Sequence, residues 1–135
     1  MFKKILIPID TADSAQKSVE VAKTIAENYG SEIVLLHVFS AHITNSVFEG
    51  APRSLPDKSE LFQVALKILS EIKIPIKTHI ETGDPSIKIV SFADQEKVDL
   101  IVMGNRGLSG ISQLFLDSVS EQVVHQAHCA VLVVK

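Results

Sequence analysis

Residues 100–110 read Leu-Ile-Val-Met-Gly-Asn-Arg-Gly-Leu-Ser-Gly, an apolar run that passes directly into a segment with three glycines. The apolar part is typical of a strand buried in a parallel sheet. Gly104, Gly107 and Gly110 permit positive φ angles and a close approach of the backbone to a ligand. The stretch therefore predicts a buried strand that ends in a turn suited to ligand binding.

A helix start is predicted at Asp117 and Ser118, beyond this turn. Asp and Ser are favoured helix N-caps, and the first N–H groups of a helix lack intrahelical partners. As an N-cap, Asp117 would accept hydrogen bonds from the N–H groups of Val119 or Ser120, which a phosphate would also use. The turn and the helix start together predict two groups of donors around one anion.

Five apolar runs rich in Ile, Val and Leu alternate along the chain with longer segments of helical period. The runs span residues 5–9, 33–38, 76–81, 100–103 and 131–134. Residues 33–36 and 131–134 lack polar alternation, as expected of parallel strands covered on both faces. This alternation predicts one doubly wound, five-stranded parallel α/β domain over residues 1–135, with right-handed crossovers.

Helices are predicted between the strands. The first two carry apolar stripes that would pack on the sheet. The stripes comprise Ala15, Val19, Ala22, Ile25, Ala26 and Tyr29, and then Leu61, Ala65, Ile68 and Ile72. A third helix is expected to begin near Pro85, whose fixed φ suits a first turn. The fourth is expected to follow Asp117 and to face inward with Val119, Val123, Val124 and Ala127.

The composition disfavours several classes of protein. The chain of 135 residues is long enough to fold without disulfides, and its single cysteine, Cys129, points to a reducing cytoplasm. No stretch reaches the length of a membrane span. A net charge of −3, one Tyr and no Trp disfavour a nucleic-acid binder. Neither a membrane nor a nucleic acid is therefore expected as a partner.

Catalytic signatures are also missing from the sequence. The five histidines are scattered without the spacing of a zinc site. No serine has a nearby histidine in the sequence, and the Gly-x-Ser-x-Gly elbow is absent. The chain is therefore expected not to be an enzyme.

The spacing of the glycines resembles the nucleotide-binding signature of the universal stress protein family, which reads Gly, two residues, Gly, nine residues, Gly, and Ser or Thr. Gly104 and Gly107 match its first two positions, and Ser118 matches its last. Asp117 stands where the family's ATP-binding branch has its third glycine. The resemblance covers nearly the whole chain, through residues 4–10, 35–38, 83–85, 99–104 and 129–134.

The resemblance implies a flavodoxin-like fold of the adenine nucleotide alpha hydrolase-like type, with strand order 3-2-1-4-5. In this order strands 1 and 4 are neighbours whose helices leave to opposite faces, and a crevice opens at their carboxyl ends. The implied ligand is ATP or another adenine nucleotide, and the implied role is stress response through binding-coupled regulation. The residues expected at the nucleotide site are Pro8, Ile9, Asp10, Val38, Met103, Gly104, Asn105, Arg106, Gly107, Asp117, Ser118, Val119 and Ser120.

Three of these residues have two interpretations each. Asp10 either shapes the turn before the first helix or, as the resemblance implies, lies beside the adenine and ribose. Arg106 either reaches a phosphate or is solvated. The carboxylate of Asp117 would oppose the phosphates, since like charges about 4 Å apart cost ~1 kcal/mol in water and ~4 at an intermediate dielectric. A Mg²⁺ ion that bridges Asp117 and the phosphates would make their interaction favourable instead.

The last strand predicts a homodimer through Val131, Leu132, Val133 and Val134. In the implied order this strand is a sheet edge, with no charge or proline to protect it before Lys135. A two-fold axis would pair two copies antiparallel.

Two rival functions stay open: a protein-interaction dimer that binds no nucleotide, and a slow ATPase or phosphotransferase. Residues 39–56 have no clean period and form either a lid over the crevice or mobile surface.

Overall fold

The computed structural model describes residues 1–11, 14–40, 55–105 and 113–135, and for residues 113–118 it describes the backbone alone. Strands and helices alternate along the described chain. In order they are β1 (Lys4–Pro8), α1 (Gln16–Tyr29), β2 (Glu32–Phe39), α2 (Lys58–Leu69), β3 (Ile76–Thr82), α3 (Pro85–Gln95), β4 (Leu100–Gly104), α4 (Gln113–Gln126) and β5 (Ala130–Val134).

The strands form one parallel sheet in the order β3-β2-β1-β4-β5. β1 lies at its centre, where Ile5 is opposite Ile33 of β2 on one side and Leu100 of β4 on the other. All four strand pairs are parallel. The predicted doubly wound α/β fold and the strand order implied by the family resemblance are both confirmed.

Alternating side chains of the central strands build a core on each face of the sheet. Ile5 and Ile7 of β1 pack with Val19 of α1, on the face covered by α1 and α2. Leu6 packs with Val123 of α4, on the face covered by α3 and α4. Because α1 follows β1 and α4 follows β4, the chain leaves these adjacent strands towards opposite faces.

The central strands are buried and the edge strands are partly exposed. Residues 5–7, 33–36 and 100–103 are buried. In β5, by contrast, Leu132 is 38% exposed, so the prediction that residues 131–134 are covered on both faces is wrong. The reason is positional: an edge strand has one neighbour in the sheet, and the helices pack mainly over the central strands.

The start of α4 differs from the prediction. The helix begins at Gln113, so Asp117 lies in its second turn and is not its N-cap. The residues before Asp117 read Gln-Leu-Phe-Leu, which contain no helix breaker and include good helix formers. The helix therefore extends through these residues instead of stopping at the Asp-Ser pair.

Smaller differences occur at the ends of other elements. Ile9 lies beyond β1, and Ile72 lies beyond α2. Tyr29 is the last residue of α1 and is 54% exposed, with its ring edge against Phe2. Val124 is 49% exposed, so it does not face inward with Val123. Pro85, by contrast, begins α3 as predicted, with Asp84 as its N-cap.

Candidate functional site

The candidate site lies at the carboxyl ends of β1 and β4. The two strands are parallel neighbours, with Leu6 opposite Ile101, so both end at the same edge of the sheet. Asp10 follows β1, and Asn105 follows β4 directly. The structure therefore brings together the first group of predicted site residues, Pro8, Ile9 and Asp10, with the second group, Met103, Gly104 and Asn105.

Burial divides these residues into two kinds. Ile9 is 2% exposed and Met103 is 5% exposed, and they belong to the cores on opposite faces of the sheet. Asp10 and Asn105 are only partly buried. Ile9 and Met103 are thus packed in the core at the carboxyl ends of the strands, while Asp10 and Asn105 are partly exposed to solvent.

The turn after β1 is closed by a reciprocal pair of hydrogen bonds. The N–H of Thr11 donates to Ser14 Oγ, and the N–H of Ser14 donates to Thr11 Oγ1, each at 3.1 Å. The N-cap of α1 is Ala15, whose side chain makes no capping bond. The Thr-x-x-Ser pair has the reciprocal bonding of a capping box, but it closes the turn ahead of the helix. The spacing of Thr11 and Ser14 is the sequence signal for this turn, and neither residue was among the predicted site residues.

β2 supports the end of β1 from the other side. The N–H of Ile9 donates to the carbonyl of Leu36 at 2.7 Å, and Nδ1 of His37 lies 2.7 Å from the carbonyl oxygen of Ile9. Val38 is partly buried and packs against the core under α3 and α4. The predicted site residue Val38 therefore directly follows His37, the residue whose side chain contacts Ile9 at the end of β1.

The end of β4 is tied to the edge strand. The N–H of Asn105 donates to the carbonyl of Val134 at 3.0 Å, and Gly104 is opposite Val134 in the register. Arg106 and Gly107 lie outside the described residues. This hydrogen bond thus holds Asn105, between Gly104 and Gly107 of the glycine-rich segment, against the end of β5.

The predicted donor group on α4 is displaced along the helix. Because α4 begins at Gln113, the N–H groups of Val119 and Ser120 lie within the helical hydrogen-bond pattern. The N–H groups without helical partners belong to the first turn, near residues 113–116. Ser120 is 5% exposed, and Val119 is partly buried against the core. The side chains of Asp117 and Ser118 lie outside the described residues.

Titratable groups within the described chain give few signs of catalytic chemistry. In this part of the molecule, no cluster of three or more His, Cys, Asp or Glu side chains is arranged to hold a metal ion. Burial raises the pKa of the Cys129 thiol, and the nearby Asp94 carboxylate adds to the effect. A thiol with a raised pKa is a poor nucleophile at neutral pH.

The fold and the site define an open, doubly wound α/β protein in which two adjacent strands send their helices to opposite faces, the point at which such sheets bind ligands. The sequence model of the universal stress protein family matches residues 1–135. The chain belongs to the universal stress protein family. Universal stress protein MJ0531 of Methanocaldococcus jannaschii is 34% identical over 145 residues, which cover 100% of this chain and 83% of that protein.

Several solved structures share the fold over nearly the whole of this chain. The structure of hypothetical protein MJ0577 matches with a TM-score of 0.77 and 30% identity, covering 100% of this chain and 96% of that one. A universal stress protein in complex with cAMP matches at 0.73 and 24% identity, with 99% and 97% covered. One from Archaeoglobus fulgidus in complex with dAMP matches at 0.71 and 21% identity, with 99% and 98% covered.

Among the helices in the described part of the chain, none combines the length and the apolar character that crossing a bilayer would require.

Proposed function

We propose that this chain binds an adenine nucleotide, with ATP as the preferred ligand, in the crevice between β1 and β4. The observation that carries the proposal is the topology: β1 and β4 are adjacent, and α1 and α4 pack on opposite faces of the sheet. In open α/β sheets, ligands bind at such a switch point. The glycine-rich segment after β4 begins at the same edge.

Each group of residues has a role in the proposal. Backbone N–H groups of the segment from Gly104 to Gly107 would hold the phosphates, with Arg106 as a charged donor. The base and ribose would lie against Pro8, Ile9, Asp10 and Val38, with Met103 beneath. Asp117 and Ser118, in the second turn of α4, would border the phosphates.

The choice of an adenine nucleotide rests on two kinds of support. The spacing of Gly104, Gly107 and Ser118 follows the family's nucleotide-binding signature. Two structures that share this fold contain cAMP and dAMP, which are both adenine nucleotides. Those ligands belong to the other proteins, and their transfer to this chain is part of the proposal. Mg²⁺ would accompany ATP if Asp117 bridges to the phosphates.

The proposed role is regulation in the stress response, in the cytoplasm, through nucleotide binding and without fast turnover. Covalent catalysis needs a nucleophile within hydrogen-bond reach of a base. Asp94 lies 3.1 Å from His128 Nδ1, but this pair is exposed at the surface between α3 and α4. A slow ATPase therefore remains the rival to be tested by phosphate release.

We also propose a homodimer through β5, because the two edges of the sheet differ in character. Along β3, Lys77 and His79 are exposed, and Nζ of Lys58 lies 3.5 Å from the carbonyl of Thr78. Polar side chains of this kind discourage edge pairing. β5 reads Ala-Val-Leu-Val-Val and exposes Leu132. The apolar edge is therefore the better surface for a second copy.

Isothermal titration calorimetry tests the nucleotide proposal directly. ATP and adenosine are each titrated into the protein with and without Mg²⁺, and phosphate release is followed in parallel. We expect one ATP per chain, and a loss of at least about tenfold in affinity for Asp10→Ala, equivalent to about 1.4 kcal/mol. Asp94→Ala, on the surface of α3, is the matched control and should bind normally. An absence of both heat and thermal shift at millimolar ATP in all conditions would refute the proposal.

A further inference from the structure

His37 is a buried polar residue for which the proposed function has no role so far. It lies near the carboxyl end of β2 and is 9% exposed. Its place in the alternation after Ile33 and Leu35 directs the side chain towards the face covered by α1 and α2. A buried imidazole requires a hydrogen-bond partner. That partner is the carbonyl of Ile9, with Nδ1 and the oxygen 2.7 Å apart.

This contact fixes the tautomer of the imidazole. A carbonyl oxygen can only accept a hydrogen bond, so Nδ1 must carry the hydrogen. The distance is short for an N–H···O bond, as expected of a well-formed one. Ile9 lies beyond the end of β1, and its N–H also donates to Leu36 at 2.7 Å. Both polar backbone groups of Ile9 are therefore held by β2.

Asp10 follows Ile9 and is fixed from its other side as well. Thr11 is held by its reciprocal hydrogen bonds with Ser14, each 3.1 Å long. Asp10 thus lies between two anchored residues, which restrict the course of the backbone through it. Of the two, the one at Ile9 depends on a side chain from another strand, that of His37.

We propose that His37 is a positioning residue of the nucleotide site. By holding the Ile9 carbonyl, it sets the course of the backbone through Asp10 and so the placement of the groups that contact the base and ribose. Since His37 also precedes Val38, the same hydrogen bond keeps the ends of β1 and β2 at a fixed separation. This inference rests on the proposed nucleotide site and adds a residue that does not itself touch the ligand.

Two variants of His37 separate positioning from packing. In His37→Asn, the side-chain amide can place a donor where Nδ1 lies and so restore the bond to Ile9. His37→Leu keeps a buried apolar volume but removes the donor. We expect ATP affinity, measured by calorimetry, to fall at least about tenfold in His37→Leu, or about 1.4 kcal/mol. It should stay within about threefold of the unmodified protein in His37→Asn. His79→Leu, at an exposed position of the edge strand β3, is the matched control and should bind normally.

A purely structural histidine would give a different result. Both His37 variants would then melt at lower temperature, with equal ATP affinity in their folded fractions. Equal affinities for His37→Leu and the unmodified protein would overturn the inference. So would an affinity for His37→Asn as low as that of His37→Leu.

NMR keeps this inference distinct from the proposed function. If the unmodified protein binds no nucleotide, the proposed function fails, and the claim about His37 is tested on the free protein. In mildly alkaline buffer, ¹⁵N spectra should show hydrogen on Nδ1 of His37, and the Asp10 amide signal should shift in His37→Leu but not in His37→Asn. Hydrogen on Nε2 alone, or an unchanged Asp10 signal in His37→Leu, would overturn the inference even where a variant folds poorly.

Discussion

The backbone N–H of Asn105 donates to the carbonyl of Val134 at 3.0 Å, which joins the end of β4 to the end of the edge strand β5. In a strand, the N–H and C=O of one residue point to the same side, and successive residues alternate. Val134 and Leu132 therefore direct their backbone groups to β4. Val131 and Val133 direct theirs outward, to where a second copy would pair.

This direction gives a sharp test of the proposed dimer. Val133→Pro removes an outward N–H that a second copy would use and leaves the ladder to β4 intact, since proline is tolerated on the open side of an edge strand. Light scattering should show twice the chain mass of 14.7 kDa for the unmodified protein and a shift towards the monomer for the variant. Leu132→Pro is the control, because it removes a bond to β4 and should destabilise the fold instead. A monodisperse unmodified monomer at micromolar concentration would contradict the dimer.

Asp117 gives a prediction based on charge. Because it lies within α4 and not at its N-cap, Asp117→Asn is a better test than a glycine, which costs about 1 kcal/mol inside a helix. If the carboxylate opposes the phosphates, the variant should bind ATP at least about fivefold more tightly, given ~1 kcal/mol or more for like charges near 4 Å. Adenosine affinity should not change.

Glu121→Gln, one turn further along α4 and exposed, controls for the general loss of a negative charge. Tighter ATP binding in Asp117→Asn only when Mg²⁺ is absent, and weaker binding when it is present, would show that the carboxylate bridges the metal. Unchanged affinity in both conditions would remove Asp117 from the site.

The turn after β1 should contribute to stability through the reciprocal hydrogen bonds of Thr11 and Ser14. Loss of either hydroxyl, in Thr11→Ala or Ser14→Ala, should lower the free energy of unfolding by about 1 kcal/mol, the usual net contribution of one hydrogen bond. The double variant should lose less than the sum, because each hydroxyl accepts from the backbone N–H of the other residue and both bonds hold the same turn. Urea denaturation measures these changes. Thr24→Ala, on the exposed face of α1, is the control and should not lower the free energy of unfolding, since alanine is the better helix former. Strictly additive losses would argue against the reciprocal pair.

Acid should weaken the cap of α2. The carboxylate of Asp57 accepts hydrogen bonds from the hydroxyl of Ser59 at 2.7 Å and from its N–H at 2.9 Å, and these bonds lower the pKa of Asp57. With a lowered folded-state pKa, the stabilisation is present above the unfolded-state pKa and is lost as the pH falls through the folded-state value. Asp57→Asn should therefore lose less stability than the unmodified protein between neutral and acidic pH.

Urea unfolding at several pH values measures this difference. Glu27→Gln replaces an exposed carboxylate on α1 and should keep the acid dependence of the unmodified protein. Equal acid dependence in Asp57→Asn and the unmodified protein would show that the cap does not titrate as described.

The sequence predicted the fold well because its signals were local and strong. Apolar runs such as residues 33–36, short and rich in Ile, Val and Leu, favour strands buried on both faces, and Pro85 marks a helix start through its own φ. The strand order came from the family resemblance, since periodicity does not specify which strands are neighbours. The start of α4 was misplaced because Asp117 and Ser118 favour a cap equally well whether or not the preceding residues are helical.

The site was predictable only in part, because some of its contacts join residues that are distant in the sequence. The switch point follows from the topology, so Asp10 and Asn105 were correctly placed at one edge of the sheet. The hydrogen bond from His37 to Ile9 joins residues on two strands, and neither residue type nor spacing signals such a contact. Tyr29 and Val124 lie at the margins of helical stripes, where the period alone does not distinguish buried from exposed positions.

Amide NMR during an ATP titration tests the central claim most directly, because it reports both whether the nucleotide binds and where. With ¹⁵N-labelled protein, the amide signals of Asp10, Val38 and Asn105, at the carboxyl ends of the strands, should shift during the titration. The shifts should reach a plateau once the site is saturated with ATP. The amide signals of Ser31 and Asp99, at the amino ends of β2 and β4, should not shift. An absence of shifts at millimolar ATP with and without Mg²⁺, or shifts confined to the amino ends of the strands, would contradict the assignment of a nucleotide site between β1 and β4.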